Sequence, residues 1–309
     1  MKKLQKNTIA SLVHQIATII CGFILPRFIL QGYGSEVNGL VNSITGFLSV
    51  ISLLELGMGA VVKSALYKPL ADGDNKKIGE IITSSEKFFR KLAIALAIYI
   101  VVLMGLYPVM VNQSYDFMYT ALLIFIIGIS TFMQYYFGMS NRLLLIADQR
   151  GYIQDNVQSV TLIINTFLSV ILILSGASIH VVKLVASLIY ICRPIFLRVY
   201  VDKKYSINRK SEYIEEPIKQ KWNGVAQHLA AFTISGTDAV VLSVFGSLEA
   251  VSIYAVYSIV VKGIMQLLTS MTTGISSLMG ELWARKETDR IKEYFSWIEW
   301  VFHTVSVFV

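Results

Sequence analysis

The chain has 309 residues, of which 55% are hydrophobic and only 15% charged, with a formal net charge of +7 and a mean hydropathy of +0.61. Soluble domains carry about 25% charged residues, so an ordinary soluble fold is excluded. The apolar residues come in blocks of about 20, the length a helix needs to cross about 30 Å of hydrocarbon. These blocks predict an all-α polytopic membrane protein of about nine spans.

The first span, Thr8–Leu30, follows a Lys2, Lys3, Lys6 cluster and is too long for the apolar core of a cleaved signal, about 7–15 residues. It carries His14 and Gln15, and near its end a proline followed by Arg27. Pro26 cannot donate to the Gly22 carbonyl, which predicts a kink beside a permanent cation. The second span, Leu40–Leu66, holds Glu55. Ile78, Ile81, Ile82, Phe88 and Phe89 then recur at helical spacing among Lys and Glu, predicting an amphipathic helix on the membrane surface.

Spans Leu92–Val111, Phe117–Tyr136, Val157–Leu174 and Ile179–Val201 follow, the last with Lys183. The longest polar segment, Asp202–Trp222, reads as a linker between an N-terminal six-helix lobe, 1–201, and the start of a second lobe, 223–309. That second part offers Val225–Phe245 with Gln227, His228 and Asp238, then Val251–Met279 with Lys262, then a block beginning near Phe295. The second lobe reads as incomplete at Val309, as a fragment or a truncated chain.

Threaded from a cytoplasmic N-terminus, the links 31–39, 112–116, 175–178 and 246–250 contain no Lys or Arg. Nearly all basic residues then fall on the cytoplasmic side, which makes the net charge a topology signal with anionic lipid headgroups as its contact, and not a nucleic-acid signal. Cys21 and Cys192 both lie in apolar spans and suggest neither a disulfide nor a metal site.

A shift of 213 residues lays Glu36 on Glu249, Met58 on Met271, Glu80 on Glu293 and Glu86 on Glu299, with a long span, a charged link and an amphipathic stretch in each copy. The repeat implies two related lobes running the same way through the membrane. It also sets His14 and Gln15 against the reversed pair Gln227 and His228, as walls of a shared cavity or as interhelical hydrogen bonds.

Ionisable groups at membrane depth are costly and default to a functional role. Arg27 suits an anion, with Lys183 and Lys262 as helpers, and Asp238, with Glu55 as a second candidate, suits a coupling Na+ or H+. No HExxH, GxSxG, P-loop or loop carboxylate pair occurs, so the sequence offers no catalytic residue and no cofactor motif.

"PRFILQGYGSEVNGLVNSI", "TDAVVLSVFGSLEAVSIYAVYSIV" and "MGELWARKETDRIKEYFSWIEW" resemble the polysaccharide-transporter, or oligosaccharide-flippase, branch of the multidrug/oligosaccharidyl-lipid/polysaccharide flippase superfamily. The resemblance implies two six-span bundles facing across a central cavity. It implies flipping of an undecaprenyl-type lipid-diphosphate-linked oligosaccharide across a bacterial cytoplasmic membrane, for capsule, O-antigen or exopolysaccharide assembly. Partners on this reading are membrane lipids and the polymerase and glycosyltransferase machinery. In such relatives, arginines of the first span and charged residues of the seventh line the cavity; the matching positions are Arg27 and Asp238. The rival readings are a drug or metabolite exporter of the same superfamily and an inactive truncated remnant. A membrane-bound polymerase or acyltransferase would need a longer outer loop than the sequence offers.

Overall fold

The computed structural model describes residues 2–50, 52–110, 115–205, 207, 209, 217–218, 237–263, 265 and 288–308. Among them there is no strand. The helices are α1 (Lys2–Ser49), α2 (Ser52–Asp72), α3 (Asn75–Met110), α4 (Phe117–Met133), α5 (Met139–Ala147), α6 (Gly151–Leu174), α7 (Ile179–Tyr205), α8 (Asp238–Phe245), α9 (248–263) and α10 (Thr288–Phe308). Among the described residues, five helical stretches are long and apolar enough to cross a membrane: Gln5–Ser49, Asn75–Met110, Phe117–Ala147, Gly151–Leu174 and Ile179–Tyr205.

The chain reverses inside α1. Gln15 and Ser49 line one cavity, whereas on a straight helix they would stand about 51 Å apart at 1.5 Å per residue. The break is at Gly34, whose φ of 83° and ψ of 174° leave the helical region, a conformation that glycine adopts without a Cβ clash. Pro26 stays within helical backbone angles, so the kink predicted beside Arg27 is not formed there, whereas the reversal at Gly34 falls inside the 31–39 link that the sequence places between the first two spans. The returning arm, 35–49, gives way at Val50 to α2, which divides the predicted second span into two helices.

The amphipathic stretch at 78–89 is not a separate surface helix. It is the first half of α3, continuous with the third predicted span. Ile78, Ile81, Ile82 and Phe89 are buried in the main core with Leu40, Ile44 and Leu144, so the bundle itself supplies the apolar partner that the sequence pattern left to the membrane. The fourth pass runs from α4 into α5 through a π-helical turn at Gln134–Gly138. At that turn a Cβ on Gly138 would come within 3.0 Å of Pro194 on α7.

The bundle is inverted in polarity relative to a soluble fold. On α6, Val160, Ile163, Ile164 and Phe167 are exposed, while Gln154, Ser159, Asn165 and Ser169 are buried. On α3, Ile94, Ile98, Val101 and Val109 are exposed. Two pairs join helices through buried polar groups: Asn165 Nδ2 donates to Tyr190 Oη at 2.8 Å and Ser187 Oγ to the Ile126 carbonyl at 2.7 Å. Apolar outside and hydrogen-bonded polar pairs inside is the arrangement that a lipid solvent favours.

The two ends are fastened differently. Near the N-terminus, Asn7 Nδ2 donates to the Gln149 carbonyl at 3.0 Å and Asn7 Oδ1 accepts from Tyr152 N at 2.9 Å, tying α1 to the turn before α6. Beyond α7, Arg209 returns to the bundle, donating to Glu86, to Asp202 Oδ1 at 2.7 Å and to Asn141 Oδ1 at 2.8 Å, and Ile218 is buried in the core. The polar linker is therefore docked on the first bundle at these described positions. At the opposite end Tyr33 donates to the Ala177 carbonyl at 2.6 Å.

Candidate functional site

The segment 237–263 packs against both arms of α1. On the returning arm, a Cβ at Gly39 would strike the Leu248 carbonyl, and one at Gly46 would meet Ala239 Cβ at 3.0 Å. Asn38 Nδ2 donates to Ser252 Oγ at 2.7 Å, and the Ser43 and Ser243 hydroxyls lie 2.5 Å apart, with Tyr107 donating to Ser43 at 2.6 Å. These contacts form a close seam of small residues. On the outgoing arm the fit is looser: Gly22 meets Ile259 and Ile19 meets Gly263, each at 3.6 Å from the position of a glycine Cβ.

Between the two arms and α9 lies a cavity of about 430 Å³. Its walls follow helical periodicity. Gln15, Thr18 and Gly22 come from the outgoing arm, Asn42, Thr45 and Ser49 from the returning arm, and Tyr254, Ser258 and Lys262 from α9, each set spaced by three or four residues along one face. A second cavity of about 240 Å³ adjoins it further along the outgoing arm, lined by Pro26, Arg27, Gln31 and Val256. Gly22 and Ile259 line both and form the neck between them. Because Pro26 has no N–H, the Gly22 carbonyl at this neck has no intrahelical donor from position 26.

The hydrogen-bond inventory of the larger cavity is lopsided. Thr18 donates to the His14 carbonyl, Thr45 to Val41, Asn42 to Asn38 and Ser49 to Gly46. Thr18, Thr45 and Ser49 thus spend their O–H on backbone carbonyls of α1 and keep acceptor character, while Asn42 retains a second amide N–H beside its carbonyl oxygen. Gln15 is 3% exposed, and its buried Nε2 has no partner among the described residues. Lys262 lines the cavity and is exposed, with no ion pair among the described residues.

The predicted site residues therefore separate into groups. Arg27, Gln15 and Lys262 face the cleft. Asp238, at the start of α8, is exposed, and its carboxylate accepts from the hydroxyl of Tyr254, a cavity residue. His14 points elsewhere: its Nδ1 is 3.3 Å from Ser159 Oγ on α6, inside the first bundle. Neighbours on a helix diverge by about 100°, so His14 and Gln15 serve different surfaces. Lys183 is half-buried on α7 and lines neither cavity. Gln227, His228 and the side chain of Glu55 lie outside the described residues.

One cation escaped the sequence reading. Arg193 looks like a membrane-edge residue in the sequence, yet its Nε donates to Thr161 Oγ1 at 2.5 Å and its guanidinium lies 4.2 Å over the Tyr190 ring, within the α6–α7 interface. The Arg-Pro step at 193–194 was the available signal, since it falls inside an apolar block as Pro26 and Arg27 do.

No family model and no curated protein matches the sequence. A solved structure described as "protein A" matches over 96% of this chain and 68% of its own length, with a TM-score of 0.68 at 15% sequence identity. At that identity the likeness concerns the fold.

Proposed function

We propose that this protein moves a lipid-diphosphate-linked oligosaccharide across a bacterial cytoplasmic membrane, with its basic N-terminal end on the cytoplasmic side, by rocking two lobes about the cleft between α1 and 237–263. The observation that carries the reading is the paired cavity: a cationic chamber at Arg27 joined to a larger amide- and hydroxyl-lined chamber, in a protein whose outer faces are apolar. A diphosphate entering hydrocarbon loses its hydration, and a guanidinium replaces it with charge-assisted, bidentate hydrogen bonds. Sugar hydroxyls are donors that match the acceptors of Thr18, Thr45, Ser49 and Asn42 and the Gly22 carbonyl. The prenyl tail stays in lipid.

Alternating access needs one face closed while the other is open. The seam of Asn38, Gly39 and Ser43 against Ser252, Leu248 and Ser243 is a closed contact at the end opposite the N-terminus. A coupling Na+ or H+ would act at Asp238, where it competes with the Tyr254 hydroxyl for the carboxylate and so links the ion to a cavity wall. The reading calls for no catalytic residue and no cofactor.

The test is glycan export in cells that depend on the full chain. Arg27→Ala should abolish surface polysaccharide while the protein remains in the membrane. Normal surface polysaccharide with Arg27→Ala would refute the proposal, and drug resistance on expression without any glycan defect would replace it with the exporter reading.

A further inference from the structure

The returning arm of α1 uses its polar side chains in two ways. Asn42, Thr45 and Ser49 donate to carbonyls three or four residues back on their own helix. Asn38 and Ser43 instead reach across the seam, to Ser252 at 2.7 Å and to Ser243 at 2.5 Å. A helical serine has its own i−4 carbonyl within reach, so a serine that turns away from it is held there.

Tyr107 on α3 does the holding. It is buried, its ring stands edge-on to Phe47 of the returning arm with centroids 5.3 Å apart, and its Oη donates to Ser43 Oγ at 2.6 Å. Each hydroxyl has one proton to give. Ser243 spends its own on the Ala239 carbonyl at 2.5 Å, so the proton between the two serines is that of Ser43. The three hydroxyls form a one-way chain, from Tyr107 to Ser43 to Ser243 to the Ala239 carbonyl. It starts in the core of the first bundle and ends on the wall of the larger cavity. An oxygen that accepts a hydrogen bond donates its own proton more strongly, and more so away from water; Ser43 and Ser243 are both buried. With Tyr107 on one side of its oxygen, Ser43 points its O–H at Ser243. Without that donor the proton can fold back onto the Gly39 carbonyl, in the manner of Asn42 and Thr45.

We propose that Tyr107 is the positioning residue of the seam: it keeps the cleft closed at the end opposite the N-terminus by committing the Ser43 proton to Ser243. This rests on the reading of the cleft as one that opens and closes by rocking. The Asn38–Ser252 bond is a second link across the seam and does not pass through Tyr107.

The test uses the full chain in lipid nanodiscs with Cys21 and Cys192 replaced by Ala. Spin labels on Glu36→Cys and Glu249→Cys, exposed positions beside the seam, give the ratio of parted to closed seam from the distances between them. Tyr107→Phe should raise that ratio about two- to tenfold, the worth of one net hydrogen bond, and Ser243→Ala should raise it similarly. The two together should raise it no further than Ser243→Ala alone, because Tyr107 works through a bond that this variant lacks. Tyr107→Phe and Asn38→Ala should instead multiply, as independent links do. The ratio is taken within folded protein, so a loss of stability by itself leaves it unchanged. An unchanged ratio in Tyr107→Phe, or the same fold-change from Tyr107→Phe with and without the Ser243 hydroxyl, would overturn the assignment and leave the rocking reading standing. A single distance in every variant, Gly39→Ala included, would remove the rocking reading and the inference with it.

Discussion

Gly39→Ala tests the seam between α1 and the 237–263 segment at its tightest point. The added methyl group would strike the Leu248 carbonyl, a backbone atom that cannot rotate away, so one helix must shift against the other. Overpacking of this kind costs about 1–3 kcal/mol, which changes the ratio of closed to parted seam by a factor of about 5–150. The hydrogen bonds Asn38–Ser252 and Ser43–Ser243 lie on either side of this contact and report it directly. With Cys21 and Cys192 replaced by Ala, Ser43→Cys and Ser243→Cys should form a disulfide readily, because the parent hydroxyl oxygens are 2.5 Å apart and a disulfide needs sulfurs about 2.05 Å apart. Adding Gly39→Ala should slow cross-linking at least about fivefold. Leu248→Ala should not restore it, since the obstructing atom belongs to the backbone. An unchanged rate with Gly39→Ala would refute the argument that the seam depends on this close approach.

Other outcomes follow from single contacts. Glu86 is buried between Arg209 and Arg90, so Glu86→Ala should lower stability by about 3–5 kcal/mol, read as a fall in the melting temperature of the purified protein. Tyr107→Phe removes the donor to Ser43 at a position 1% exposed and should cost about 1 kcal/mol in the same assay. Gln15→Leu deletes an unpartnered buried donor and should raise the melting temperature of the ligand-free protein by the equivalent of about 1–3 kcal/mol. A Cβ at Gly34 would meet nothing within 4 Å, so any loss in Gly34→Ala measures backbone strain alone, about 1–3 kcal/mol for a side chain held at positive φ with extended ψ.

Composition and block length make the helical class and the apolar outer faces legible, because both depend on residue type and not on partners. The cleft residues Gln15, Arg27 and Lys262 are legible as well, being polar groups in segments that otherwise lie in lipid. Of the two roles the sequence leaves open for His14, cavity wall or interhelical hydrogen bond, the structure shows the second: one residue on a helix is a turn of about 100°, and only the packing of α6 decides which face meets the cleft. The stretch 78–89 has the pattern of a surface helix, and the pattern is correct, but amphipathicity does not say whether lipid or protein covers the apolar face. Arg193 is hidden by a similar ambiguity, since a long side chain near a span end can reach water or stack on Tyr190. The reversal at Gly34 is legible too, since it falls in the 31–39 link between the first two apolar blocks, but the seam at Gly39 depends on a backbone approach that no side-chain pattern records.

The central claim, that this cleft carries an anionic lipid-linked glycan across the bilayer, is tested most directly by transbilayer movement in proteoliposomes. The full chain would be reconstituted with a fluorescent prenyl-diphosphate oligosaccharide, and accessibility of the sugar to an external quencher followed with time. Wild type should equilibrate the glycan between leaflets, and Arg27→Ala, reconstituted to the same density, should leave it at the rate of protein-free vesicles. Equal rates for wild type and Arg27→Ala would contradict the account.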